Sequence, residues 1–90
     1  MPLNFKQILR IARRNGARSV RLFGSYAKGN AAESSDIDLL VDLEPDRSLL
    51  DLIAIKQDLE ELFHKKVDVV TENSLSPYLR EQILREAVPL

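Results

Sequence analysis

A chain of 90 residues folds as one small domain with a modest core and has no room for a second. Cysteine is absent and histidine occurs once, at His64, which excludes a disulfide framework and any thiolate or histidine-rich zinc site. No apolar run approaches the roughly 18 residues of a membrane span, and the N-terminus lacks a signal-peptide pattern, so the expected location is the cytoplasm.

The net charge is −1 but unevenly spread. Residues 1–32 hold seven basic side chains and no acid; the remainder holds six basic and all 14 acidic ones, so the two parts carry +7 and −8. A solvated basic helix explains this plainly, and a surface for a polyanion or an acidic partner explains it more sharply. The near-zero total argues against a nonspecific nucleic-acid binder.

Asn4 is placed to cap a first helix, with Gln7 answering at the third position. Phe5, Ile8, Leu9 and Ala12 recur at helical spacing, and Asn15-Gly16 ends the run. Val20, Leu22 and Phe23 read as a first strand that stops at Gly24. Gly24-Ser25 then permits close backbone approach to a ligand, and a helix starting at Ser25 would aim free N–H groups at a phosphate. Alone this pair is weak, because most Gly-Ser dipeptides are plain turns. The Walker-type loop is excluded, since Gly29 is followed by Asn30 and Ala31. Lys28-Gly29 closes the short helix, and Asn30–Ser35 is a polar loop.

Asp36–Leu43 reads as the second strand. Alternation puts Asp36 and Asp38 on one side, with Ile37, Leu39, Val41 and Leu43 on the other. Like charges 4–5 Å apart repel by roughly 3–4 kcal/mol at an effective dielectric of about 20. A divalent cation removes that cost, and oxygen-only ligands suit Mg²⁺ or Mn²⁺. An EF-hand also begins Asp-x-Asp, but Leu40 and Val41 stand where it needs oxygen ligands and glycine.

Ser48 caps a long helix with Asp51 three residues on, and Leu49, Leu52, Ile53, Leu59, Leu62 and Phe63 form its expected buried stripe. His64 falls at its C-terminus, a position for a solvated or dipole-stabilising side chain. Val67–Val70 is the third strand, with Asp68 facing away from Val67 and Val69. By itself Asp68 reads as an edge-strand charge that discourages aggregation. Ser76-Pro77 opens a last helix through Leu79, Ile83, Leu84 and Ala87, which stops at Val88-Pro89-Leu90.

Gly24-Ser25, Asp36-x-Asp38 and the later strand Asp68 together resemble the nucleotidyltransferase superfamily related to DNA polymerase β. The closest likeness is to its minimal members (MNT), paired with HEPN proteins in toxin–antitoxin modules. The matching residues are Leu22-Phe23-Gly24-Ser25-Tyr26-Ala27-Lys28-Gly29, Ser35-Asp36-Ile37-Asp38-Leu39-Leu40-Val41 and Val67-Asp68-Val69-Val70. Lys28 departs from the arginine common in the family, which keeps the charge and gives up bidentate phosphate contact. The resemblance implies an α+β, two-layer nucleotidyltransferase core over residues 1–90, with a short mixed sheet of about three strands. It implies transfer of AMP from ATP to a hydroxyl, a tyrosine, on a partner HEPN toxin. It casts Asp36, Asp38 and Asp68 as catalytic ligands of two Mg²⁺ ions, with Mn²⁺ as the substitute. By the same resemblance Gly24, Ser25, Lys28 and Ser35 are expected to hold the nucleotide or its loop; Ser35 reads equally as a solvated serine, and Tyr26 packs as readily as it touches ligand.

Two other readings stand beside this one. In one the chain neutralises a toxin by contact, its catalytic residues idle. In the other it is a free-standing enzyme acting on a small molecule, such as an aminoglycoside, which the lack of an acceptor-binding part disfavours. The chain is so short that a partner chain or a second copy is expected to complete the site.

Overall fold

Asn4 accepts the Gln7 N–H on its side-chain oxygen at 3.2 Å, and helix α1 (Phe5–Arg14) starts there. The chain leaves α1 through Asn15 and Gly16, whose φ of 92° suits glycine. The computed structural model describes residues 4–90. Its strands are β1 (Ala17–Phe23), β2 (Ile37–Leu43), β3 (Val67–Val70) and β4 (Val88–Pro89), in the sheet order β3-β2-β1-β4. β1 is antiparallel to β2 and β4, whereas β2 and β3 are parallel. The remaining helices are α2 (Ser25–Lys28), α3 (Leu49–Phe63) and α4 (Pro77–Glu86), with a 3-10 turn at Glu72–Ser74 before α4.

Alternation along the strands divides the sheet. Val20 and Leu22 of β1 and Ile37, Leu39 and Val41 of β2 share one face with Val67. Ile8 and Ala12 of α1 and Ile55 and Leu59 of α3 pack on that face as a single core. Each fully buried aliphatic side chain there contributes about 1.5–3 kcal/mol. The opposite face carries Ser19, Arg21 and Phe23 of β1, Asp38 and Leu40 of β2, and Asp68 of β3.

The capping of α3 is as the sequence implies. Ser48 Oγ accepts the Leu50 N–H at 3.3 Å, and Asp51 Oδ2 accepts the Ser48 N–H at 2.9 Å. Its buried stripe differs from the expected one. Ile55 and Leu59 are fully buried, flanked by partly buried Leu52 and Phe63, while Leu49, Ile53 and Leu62 are exposed. Positions 52, 55, 59 and 63 follow one helical line, and 49, 53 and 62 fall off it.

The sheet has four strands rather than about three. β4 pairs Val88 with Leu22 and Pro89 with Arg21. Two residues, one a proline, leave no periodic signal, and proline is tolerated there because β4 is an edge. α4 begins at Pro77, with Ser76 Oγ accepting the Tyr78 N–H, and buries none of its residues. No helix among the described residues is long and apolar enough to cross a membrane.

Candidate active site

β1 ends at Phe23, which is paired with Asp38 of β2. Gly24 follows with φ 73° and ψ −154°, a region that is essentially glycine-only. A Cβ at this position would also collide with Asp38 Oδ2. The backbone conformation demands glycine, and any Cβ there would displace the Asp38 carboxylate, against which the turn after β1 directly lies.

α2 starts at Ser25 and is four residues long, closed by Gly29 at φ 76°. The Lys28 N–H donates to the Gly24 carbonyl at 3.1 Å. The N–H groups of Ser25, Tyr26 and Ala27 belong to the first turn and have no acceptor within the helix. So short a helix has little dipole to offer. The turn presents N–H donors and the Ser25 hydroxyl next to Asp38.

The parallel register places Asp38 opposite Asp68. Burial, then the charge of Asp68 and a hydrogen bond shared with it, push the Asp38 carboxyl up to about 6. Asp36 adds to the push and Lys66 opposes it. Asp36 itself lies just outside β2, with its Oδ2 3.9 Å from Lys66 Nζ. The Ile37 N–H donates to the Lys66 carbonyl at 3.0 Å, which ties the start of β2 to the approach to β3. Asp38 and Asp68 therefore form the central pair, and Asp36 stands at its rim.

Among the described residues no group of three or more His, Cys, Asp or Glu side chains is placed to hold a metal ion unaided. A two-carboxylate centre still fits magnesium. Mg²⁺ is usually bound by one or two carboxylates with waters and substrate phosphates, rather than by an all-protein cage. Hard oxygen donors suit Mg²⁺ or Mn²⁺, and a cation held by Asp38 and Asp68 would offset both the burial and the repulsion that raise the Asp38 pKa.

The other candidates are placed as follows. Ser35 Oγ accepts the Ala32 N–H at 2.8 Å, and the Ser35 N–H returns to the Ala32 carbonyl at 3.0 Å. Its hydroxyl fixes the loop that delivers Asp36. Lys28 Nζ lies 3.6 Å from Glu86 Oε2, so its charge is directed at α4. Tyr26 packs at the edge of the core, with Lys65 Nζ 5.8 Å from its ring centroid.

Sequence reasoning missed the residues that aim Asp68. Glu60 Oε2 accepts the Val67 N–H at 3.0 Å and Lys56 Nζ at 3.3 Å, and Lys56 also donates to the Val67 carbonyl at 3.1 Å. The Val67 N–H bond, with Lys56 beside it, holds the Glu60 carboxyl below its ordinary value of 4.5. α3 thereby fixes the first residue of β3, immediately before Asp68. The signal available was a Lys56–Glu60 pair at helical i, i+4 spacing, which by itself looks like any surface pair.

The arrangement is a glycine turn with free N–H donors against a raised-pKa carboxylate, itself paired with a second on the neighbouring strand. A family model described as a nucleotidyltransferase domain matches residues 5–90. The protein adenylyltransferase MntA of Thermococcus cleftensis is 44% identical over 75 residues, covering 83% of this chain and 76% of the relative. A solved chain described as a candidate minimal nucleotidyltransferase is 52% identical, with a TM-score of 0.83, covering 94% of this chain and 87% of that one. A toxin–antitoxin crystal structure with AMP-PNP is 28% identical, with a TM-score of 0.82, covering 97% of this chain and 72% of its own. By this match over nearly its whole described length, the chain belongs to the nucleotidyltransferase domain family.

Proposed function

We propose that this chain is the antitoxin of a HEPN/MNT pair and transfers AMP from ATP to a tyrosine hydroxyl of its HEPN toxin. The single observation that carries the reading is the contact of Gly24 with Asp38, itself paired with Asp68 on one rung of the sheet. The acceptor oxygen attacks the α-phosphorus, a new P–O bond forms, and the bond to the bridging oxygen of the β-phosphate breaks. Pyrophosphate leaves, and the hydroxyl proton passes to solvent or a nearby carboxylate.

Ser25 and the first-turn N–H groups of α2 receive the departing phosphates, with Lys28 close by. Asp38 and Asp68 would hold Mg²⁺, with Asp36 at the rim, and the metal would supply neutralisation of the charge that develops in the transfer. Positioning and charge neutralisation supply most of the catalysis in such transfers. Two relatives support the reading: one is named protein adenylyltransferase MntA, and another was solved in a toxin–antitoxin structure with AMP-PNP.

The test is incubation with labelled ATP, Mg²⁺ and the cognate HEPN protein. Label is expected on a toxin tyrosine, and Asp38→Asn is expected to abolish it while circular dichroism stays unchanged. An Asp38→Asn protein that neutralises the toxin fully in cells would instead establish neutralisation by contact.

A further inference from the structure

Asp38 pairs with Asp68 on one rung of the parallel ladder, and Ile37 pairs with Val67 on the rung before it. One residue further back stand Asp36 and Lys66. Their side chains meet, with Lys66 Nζ 3.9 Å from Asp36 Oδ2. The Ile37 N–H on the Lys66 carbonyl fixes the two backbones at this point. Residues two apart along a strand share a side and are separated by about 7 Å. The centre therefore has four corners on one face, three carboxylates and one ammonium. Lys66 acts across that face on Asp38, opposing the rise of its pKa. The neighbouring lysines are committed elsewhere: Lys28 to Glu86, Lys56 to Glu60 and the Val67 carbonyl, Lys65 to the Glu33 carbonyl. Lys66 is exposed, and among the described residues its ion-pair partner is Asp36 alone.

We infer that Lys66 is a further residue of the transfer reaction, its ammonium held by Asp36 beside the path of the attacking tyrosine oxygen. The inference rests on the proposed AMP transfer. Attacking and leaving oxygens lie on opposite sides of phosphorus in an in-line displacement. In that reading the diphosphate leaves at the turn after β1, and β2 lies between β1 and β3. Attack therefore comes from the β3 side, where Lys66 and Asp68 stand at the start of the strand. A tyrosine hydroxyl has a pKa of about 10 and is almost wholly protonated at neutral pH. A positive charge within about 4–6 Å favours its ionised form. Asp68 at the same edge has the opposite effect, so the ammonium is the group that suits the phenolate. The hydroxyl proton passes to solvent, the phenolate oxygen bonds to the α-phosphorus, and the bond to the bridging oxygen of the β-phosphate breaks.

The test uses the whole chain with its toxin, carrying either tyrosine or a more acidic difluorinated tyrosine at the acceptor position. Lys66→Met should slow single-turnover transfer to tyrosine about tenfold, the equivalent of one pKa unit. Transfer to the fluorinated acceptor, which ionises without help, should slow by less than about twofold. Lys66→Arg keeps the charge and should retain most of the rate on both. Calorimetric affinity for Mg²⁺–ATP should not fall in Lys66→Met, which separates an acceptor-side role from a grip on the nucleotide. Without nucleotide, Mn²⁺ should bind Lys66→Met about threefold more tightly by electron paramagnetic resonance, because Asp36 loses an exposed ion-pair partner. An equal loss on both acceptors, a fall in ATP affinity, or Mn²⁺ binding that ignores the substitution overturns the inference and leaves AMP transfer standing. A wild type that labels neither acceptor overturns both.

Discussion

Asp38 and Asp68 stand opposite one another on the parallel ladder between β2 and β3, and Gly24 closes against Asp38 from the β1 side. The two carboxylates are therefore placed by backbone pairing, not by loops. Such a pair is an electrostatic burden on the metal-free fold. Asp38 holds its proton to about pH 6 against a reference of 3.8. Between those values the folded chain binds more protons than the unfolded one, so stability falls as pH rises and is lowest above the folded pKa. Asp38→Asn should consequently raise the Tm of the EDTA-treated protein at pH 7.5 and abolish AMP transfer. Scanning fluorimetry from pH 4 to 8 checks this: the wild type should lose Tm relative to the variant across the window. Mg²⁺ should stabilise only the wild type. Parallel profiles would refute the account.

Gly24→Ala tests the close approach. A non-glycine residue at this φ and ψ costs about 1–3 kcal/mol, and the added methyl also meets the Asp38 carboxylate. The variant should be destabilised by at least that much and lose transfer. Adding Asp38→Ala removes the collision and keeps the backbone strain, so the double variant should recover part of the lost stability. Denaturant unfolding of the four proteins in a cycle measures the coupling. Strict additivity would mean that the methyl and the carboxylate do not meet.

Most of this centre was legible because its parts are local. Gly24-Ser25 and Asp36-x-Asp38 sit within a few residues of strand ends, and period-2 alternation orients Asp38 without knowledge of the whole fold. Asp68 was harder. A lone acid in a four-residue strand means little until the ladder puts it beside Asp38. The rest depended on long-range contact. β4 forms only because Val88 and Pro89 meet β1, more than 60 residues away. Glu60 earns a role only because α3 docks its carboxylate on the Val67 amide. Ile55 outranks Leu49 and Ile53 because the docking angle of α3 selects one line of its surface.

Glu60→Ala should loosen β3 and with it the aim of Asp68. The Glu60 carboxyl is held below 4.5 in the fold, so its stabilisation is present above that value and is lost as pH falls through the folded pKa. The Tm deficit of the variant should be largest near pH 7 and shrink below pH 4.5. Transfer should slow, while tripolyphosphate affinity stays as in the wild type. An unchanged transfer rate would show that Asp68 is aimed without Glu60.

His64 caps α3 at φ 53° and ψ 40° and is the one non-glycine residue with positive φ among the described residues. A left-handed conformation costs an ordinary L-residue about 1–2 kcal/mol, whereas glycine loses about 0.5–1 kcal/mol through backbone entropy. His64→Gly should therefore stabilise the fold by up to about 1 kcal/mol, read as a higher denaturant midpoint at constant m-value. Transfer should be unaffected. A lower midpoint would mean that the imidazole makes a contact worth more than the strain.

Lys28 and Glu86 join the turn after β1 to the otherwise lightly held α4. A triphosphate received at Ser25 competes with the Glu86 carboxylate for the Lys28 ammonium. Exposed ion pairs of this kind are worth about 0–1 kcal/mol, which is up to about fivefold in an equilibrium constant. Glu86→Gln should lower the KM for ATP by up to that factor with kcat unchanged, because the freed ammonium assists ground state and transition state alike. In a Lys28→Met background the same change should do nothing. Hydrogen exchange in α4 should rise on adding Mg²⁺–ATP to the wild type, since the nucleotide draws Lys28 away. Exchange rates in α4 that ignore the nucleotide, together with an unaltered KM in Glu86→Gln, would show that Lys28 does not serve the triphosphate.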